Sequence, residues 1–159
     1  FSMFWTFSKS SEFCFCNAIN LISLEIFGKY VFAGKSCFEN CKSIEYLSIP
    51  NSYKVEFAQN AFLGCKNIVQ IEIISLQEFK AGDCCFSNES KIRFFSNSKK
   101  VFIGELCFNR CPLLDTISLP TANEITYFEL SFNETKVNKL NCSTNVKIIQ
   151  QKSKLAYIV

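Results

Sequence analysis

Residues Lys35–Pro50 read KSCFENCKSIEYLSIP, and Glu105–Pro120 read ELCFNRCPLLDTISLP. Cys-Phe, a second Cys, an apolar residue and a closing Ser-Ile/Leu-Pro recur at the same internal spacing. Two readings compete. The Cys-x3-Cys pairs are ligands for a metal, or both stretches are turns of a repeating structure whose thiols fill a core.

Working outward from Phe38 and Phe108 decides between them. Other Phe residues preceded by a small residue lie at Phe15, Phe62, Phe86 and Phe132, so the six markers are spaced by 23, 24, 24, 22 and 24 residues. The residue before each marker is Cys14, Cys37, Ala61, Cys85, Cys107 or Ser131, always small. Three residues after it stand Ala18, Cys41, Cys65, Glu89, Cys111 and Thr135. Six after it come Leu21, Ile44, Ile68, Ile92 and Leu114; nine after it, Leu24, Leu47, Ile71, Phe95 and Ile117; eleven after it, Ile26, Ile49, Ile73 and Leu119. Seven residues before the marker are Val31, Val55, Phe79, Val101 and Ile125. The fourth unit departs, with Asn97 where the others have Ile or Leu. The last is one residue short, so Val137 and Leu140 take the core positions.

The apolar-x-apolar ending of each unit is the period-two pattern of a strand with one buried face. Pro50 and Pro120 should stop that strand, because proline has no ladder donor. The Phe and its small neighbour then occupy the return path, expected as a brief helical turn. One such unit cannot bury its apolar side alone; stacked neighbours can.

These residues resemble the BspA-like leucine-rich repeat. AFLGCKNIVQIEI (Ala61–Ile73) and CFENCKSIEYLSIP (Cys37–Pro50) carry its unit, roughly A-F-x-x-C-x-x-L-x-x-I-x-I-P followed by a second apolar pair. The likeness extends from about Phe13 to Ile149; the Asn ladder of more familiar leucine-rich repeats is absent. The resemblance implies a leucine-rich repeat solenoid of about six coils of 22–24 residues, with short parallel strands on the concave face and short helical turns or irregular segments on the return side. It implies one domain over 1–159, a fragment of a longer array. Residues 14–149 are the repeats, with caps or partial coils at 1–13 and 150–159, where KLAYIV alternates like one more strand.

The repeat answers the cysteine question. Of ten Cys, four share the slot before the Phe and three the slot after it, as small buried apolar residues. Ala and Ser in the first slot are not metal ligands. The two Cys-x3-Cys pairs are three coils apart, about 14 Å at strand spacing, too far for one ion. Cys41 and Cys65, in one slot of adjacent coils, are the pair best placed for a disulfide. Cys16, Cys84 and Cys142 lie outside both slots and should be surface thiols.

The chain contains no His, which removes His-based nucleophile systems and His-ligated metals. No phosphate-binding glycine motif occurs and only five Gly are present. No cofactor is expected and an enzyme is disfavoured; Glu25 and Glu72 read as solvated carboxylates. The net charge of +3 carries no basic block longer than Lys99-Lys100, which argues against nucleic acid. No apolar run approaches the roughly 20 residues that span a bilayer. Asn88, Asn133 and Asn141 head Asn-x-Ser/Thr sequons, a frequency expected by chance.

The resemblance places a binding face on the strand wall, between its buried positions. The candidates are Ser23, Glu25, Tyr46, Ser48, Gln70, Glu72, Phe94, Ser96, Thr116 and Ser118, continued by Lys139 and Asn141. Small polar residues around Tyr46 and Phe94 suit contact with other proteins or glycans. By resemblance, the role is adhesion at a cell surface or in a secreted protein. The alternative is a structural scaffold inside a cytoplasmic assembly, which the thiol-rich core suits.

Overall fold

The structure, a computed structural model, describes residues 2–5, 11–89 and 92–153. Its strands are β1 (Ser2–Trp5), β2 (Ser23–Ile26), β3 (Tyr30–Ala33), β4 (Tyr46–Phe57), β5 (Gln70–Ala81), β6 (Arg93–Ser96), β7 (Lys100–Ile103), β8 (Ile117–Leu119), β9 (Glu124–Phe128), β10 (Leu140–Cys142) and β11 (Lys147–Gln151). All pair in parallel, one coil upon the next. A first ladder runs β1-β2-β4-β5-β6-β8-β10. A second runs β3-β4-β5-β7-β9-β11, with β4 and β5 crossing the corner and serving both. The expected strand in KLAYIV lies outside the described residues.

The first ladder stands where the period-two pattern placed it, and the second accounts for Val31, Val55, Phe79, Val101 and Ile125, all buried. Pro120 ends β8 as expected. Pro50 does not end β4; it falls where the β4–β5 register shifts, between Ile49 and Ser52, so no ladder bond needs its missing N–H.

No return segment among the described residues is helical. In place of a helix, the Phe segments stack as a third ladder of turns. The amides of Phe15, Phe38, Phe62, Phe86 and Phe108 donate to Cys37, Ala61, Cys85, Cys107 and Ser131 of the next coil, at 2.8–3.0 Å. The residues two before and two after each of these Phe have positive φ, from 52° at Phe13 to 74° at Gly64. The alternation turns successive amides out of the coil, toward the neighbouring coil, which a continuous helix could not do. Asn17, Asn40, Gly64 and Asn88 at the later position are residue types that tolerate this conformation. Coils also approach closely here: a Cβ on Gly104 would lie 2.5 Å from the Gly82 carbonyl carbon.

Inside the coils the six marker Phe rings form one column. Successive centroids from Phe15 to Phe132 are 5.2, 5.0, 5.4, 5.5 and 5.9 Å apart, with ring planes within 17° of parallel. Phe57 occupies the column of Ala33 and Ala81 and packs edge-on to Phe62, Phe79 and Phe86. A large ring between two alanines fills the space that equal side chains would crowd.

The fourth coil slips. Phe94, not Phe95, stands opposite Ile71 and Ile117, and it packs on Phe79, Phe86 and Phe108. Ser96 then fills the inward position opposite Ile73 and is fully buried, its hydroxyl 2.9 Å from that of Ser98. In the shortened last coil, Val137 and Leu140 pack against the core, with Leu140 opposite Ile117.

Outward on the second ladder, Lys54, Glu78, Lys100, Glu124 and Lys147 stand in one register column of alternating charge. Lys54 approaches Glu78 at 3.4 Å, Lys147 approaches Glu124 at 3.5 Å and, alongside, Lys80 reaches Glu56 at 3.0 Å. Exposed pairs add only about 0–1 kcal/mol each. Their contribution is to register: a slip by one coil would set like charges face to face.

Phe62 is central to the ring column, whereas Phe13 is 54% exposed at its edge. Phe62→Ala should therefore cost about 3–5 kcal/mol in chemical denaturation. Phe13→Ala should stay within about 0.5 kcal/mol, as surface changes do. Equal losses would mean that the column does not hold the coils together.

Candidate functional site

The face of the first ladder that points away from the core is built by alternation along each short strand. Register aligns Ser23, Tyr46, Gln70 and Arg93 in one column, and Glu25, Ser48, Glu72, Phe95, Ser118 and Asn141 in the other. Tyr46, Gln70 and Thr116 are exposed; Ser23, Glu25, Ser48, Glu72 and Ser118 are half-buried at strand centres. These eight, with Asn141, lie on the face as expected, and Lys139 is exposed just before β10.

Phe94 and Ser96 do not. Both are buried, Phe94 with 3% exposure and Ser96 with none. Ile92 and Phe94 are two apart where other coils leave three, as from Ile68 to Ile71, so counting forward from Phe86 misassigns the strand by one. Counting back from Val101, seven residues as from Val31 to Leu24, places Phe94 inside. The slip brings Arg93 and Phe95 to the face, two residues that forward counting misses.

Their arrival makes a cleft. It has a volume of about 420 Å³ and is lined by Gln70, Arg93, Phe95, Asp115, Thr116 and Ser118, over a floor of Ile71 and Phe94. Arg93 is exposed and has no ion-pair partner among the described residues, whereas Arg110 is held 3.5 Å from Glu134. A larger cleft, about 560 Å³, lies on the last coil against the half-buried core residues Phe132, Val137 and Leu140. It lies at the last ring of the described core column.

The thiols are packing and hydrogen-bonding groups. Cys37, Cys41, Cys65, Cys85, Cys107 and Cys111 are fully buried, and all ten cysteines are free. The Sγ atoms of Cys41, Cys65 and Cys111 donate to the carbonyls of Phe15, Phe38 and Phe86 in the coil below, at 3.0–3.2 Å. That bond is why Cys recurs three residues after the Phe, and it uses the two thiols best placed for a disulfide. Cys14 departs from its slot: it is exposed, at the first turn of the described turn ladder. Cys16, Cys84 and Cys142 are half-buried rather than free on the surface. Among the described residues, no group of three or more His, Cys, Asp and Glu side chains could hold a metal ion.

Glu89 replaces Cys in the second slot. It is fully buried, and neither carboxyl oxygen has a hydrogen-bond partner among the described residues. The nearby Cys65 amide, which would favour the charged form, donates instead to the Phe62 carbonyl. Burial pushes the Glu89 carboxyl up to about 9, and the charge of Lys66 offsets only part of this.

With this geometry in view, comparison with known proteins is decisive for the family. Models of the BspA type leucine rich repeat region match residues 8–126 and 33–153, in six copies. The chain belongs to the BspA-type leucine-rich repeat family. Six repeats agree with six stacked phenylalanines, and leucine-rich repeats are typically non-enzymatic interaction modules. No curated protein matches the chain, and no solved structure does. No helix of the described residues in this BspA-type array is long and apolar enough to cross a membrane.

Glu89 predicts a pH dependence. The folded chain keeps its proton from pH 4.5, the ordinary value, to about 9, while the unfolded chain releases it. Stability should be full below the ordinary value and fall as pH rises through this window, by up to about 1.4 kcal/mol per unit. Denaturation midpoints measured from pH 5 to pH 8 should show the decline. Glu89→Gln should flatten it, and an unchanged slope in that variant would assign the titration elsewhere.

Proposed function

We propose that this BspA-type array is a non-catalytic recognition module that attaches to other proteins through the outward face of its first strand ladder. Adhesion is the role this reading favours. The observation that carries it is the slip of the fourth coil, which sets Arg93 and Phe95 beside Gln70, Thr116 and Ser118 at the rim of a cleft. Arginine and aromatic residues are the types that dominate interface energetics. Rows of small polar residues around them leave the strand surface open to a partner.

A second reading, a scaffold within an intracellular assembly, is favoured by the ten free thiols. Buried thiols used as hydrogen-bond donors suit a reducing compartment. Chain isolated from its source without reductant, then denatured and titrated, should release all ten thiols if this reading holds. Paired cysteines would remove its support.

Attachment of the purified chain to surfaces coated with a panel of matrix proteins tests the first reading. Combined Arg93→Ala and Phe95→Ala should weaken attachment at least about tenfold, as the loss of central contacts does. The denaturation midpoint should hold, because both side chains point outward. Lys100→Ala, on the second ladder, should leave attachment intact. Equal binding by all three proteins would remove the face from the function.

A further inference from the structure

Some of the chain's outward cations are neutralised by a neighbouring carboxylate. Lys54, Lys80, Lys147 and Arg110 each have a carboxylate within 4.0 Å. Among the described residues Arg93 has none, although Asp115 lines the same cleft. Its register neighbour on β5 is Gln70, an amide, and Thr116, a hydroxyl just before β8, lines the same cleft. Three side-chain donors thus line one cleft, and of the three Arg93 alone carries a fixed positive charge.

The cleft has an apolar half as well. Phe95 is two residues along β6 from Arg93, on the same face, about 6.6 Å away. It is only half-buried, beside the Ile71 and Phe94 floor. Glu72 flanks Phe95 on the adjacent strand, and Asp115 lines the same cleft. Those carboxylates oppose a ligand with several negative charges and leave room for one, at Arg93.

From this arrangement we infer that the cleft binds a single carboxylate joined to an aromatic group, presented by an extended segment of a partner protein. The inference rests on the proposal that the first-ladder face is the contact surface, and it names the chemistry which that surface selects. The carboxylate accepts two parallel N–H bonds from one edge of the guanidinium, with Gln70 and Thr116 donating beside it. The partner's ring lies on Phe95, and the segment crosses the strands, its backbone free of the ladder bonds that the coils already use.

The test uses 3-phenylpropionate as the probe, with phenethylamine, acetate and a sulfated oligosaccharide as comparisons. Each is titrated into the isotope-labelled chain and followed by NMR at the Arg93 Nε–H and the Phe95 ring. Saturable shifts of both groups with 3-phenylpropionate alone are expected. In Arg93→Gln the apparent affinity should fall at least about fivefold, since a charged bidentate contact becomes a neutral one. The remaining resonances of that variant should stay in place.

Equal response to phenethylamine would overturn the carboxylate assignment, and binding of the sulfated oligosaccharide in preference would replace the protein segment by a glycan. Absence of any saturable shift would also overturn the inference. Should attachment still depend on Arg93 and Phe95 in that case, the contact face stands and only its chemistry falls. If 3-phenylpropionate binds but attachment ignores both residues, the reverse holds.

Discussion

Six phenylalanine rings stacked at 5.0–5.9 Å set the axis along which every other part of the molecule repeats. A coil of some two dozen residues has too little apolar surface to fold alone; each ring is covered by the rings of its neighbours. Parallel, offset rings at this distance contribute about 0.5–1.5 kcal/mol per pair beyond their burial. The stacking distance exceeds strand spacing slightly, so rings slide past one another while the backbones keep strand pairing. The close approach at Gly104 and the amides turned toward adjacent coils follow from holding that spacing on the side where no strand runs.

Much of this was legible in the sequence because a repeat multiplies a weak signal. One Phe after a small residue says nothing; six at near-constant intervals specify a column, and the first strand ladder follows from alternation. The turn ladder was not read, because periodicity of burial is silent on backbone handedness. Its signal was nonetheless present in Asn17, Asn40, Gly64 and Asn88, the residue types that tolerate positive φ, at one position of four coils. The second ladder hid for another reason. Its outward residues are charges whose alternation runs across coils, from Lys54 to Glu78 to Lys100, and is invisible along any single strand.

The outward face of the first ladder was legible except in the fourth coil, where IRFFS offers two adjacent phenylalanines and the marker-to-strand distance shrinks by one. Packing chose Phe94, because at that position its ring meets Phe79, Phe86 and Phe108 at 5.4–6.3 Å. A side chain that fills an existing aromatic cluster outweighs a count along the chain. Thr116 and Ser118 face outward for the converse reason, since Leu114 and Ile117 keep the regular spacing.

The same coil collects the other departures from the repeat. Glu89 stands where its neighbours place a thiol, and Ser96 where they place Ile or Leu. Each is unfavourable for the core: a buried carboxyl without a hydrogen-bond partner among the described residues, and a small hydroxyl in the place of a branched apolar side chain. Regular coils show that the fold does not require them. Both accompany the shortening that turns Arg93 and Phe95 outward, so the irregular coil loses packing inside while gaining the charged and aromatic pair outside. Local rules broken together, in the one coil whose slip forms a cleft, are the pattern expected where a surface has a use beyond holding the array in register.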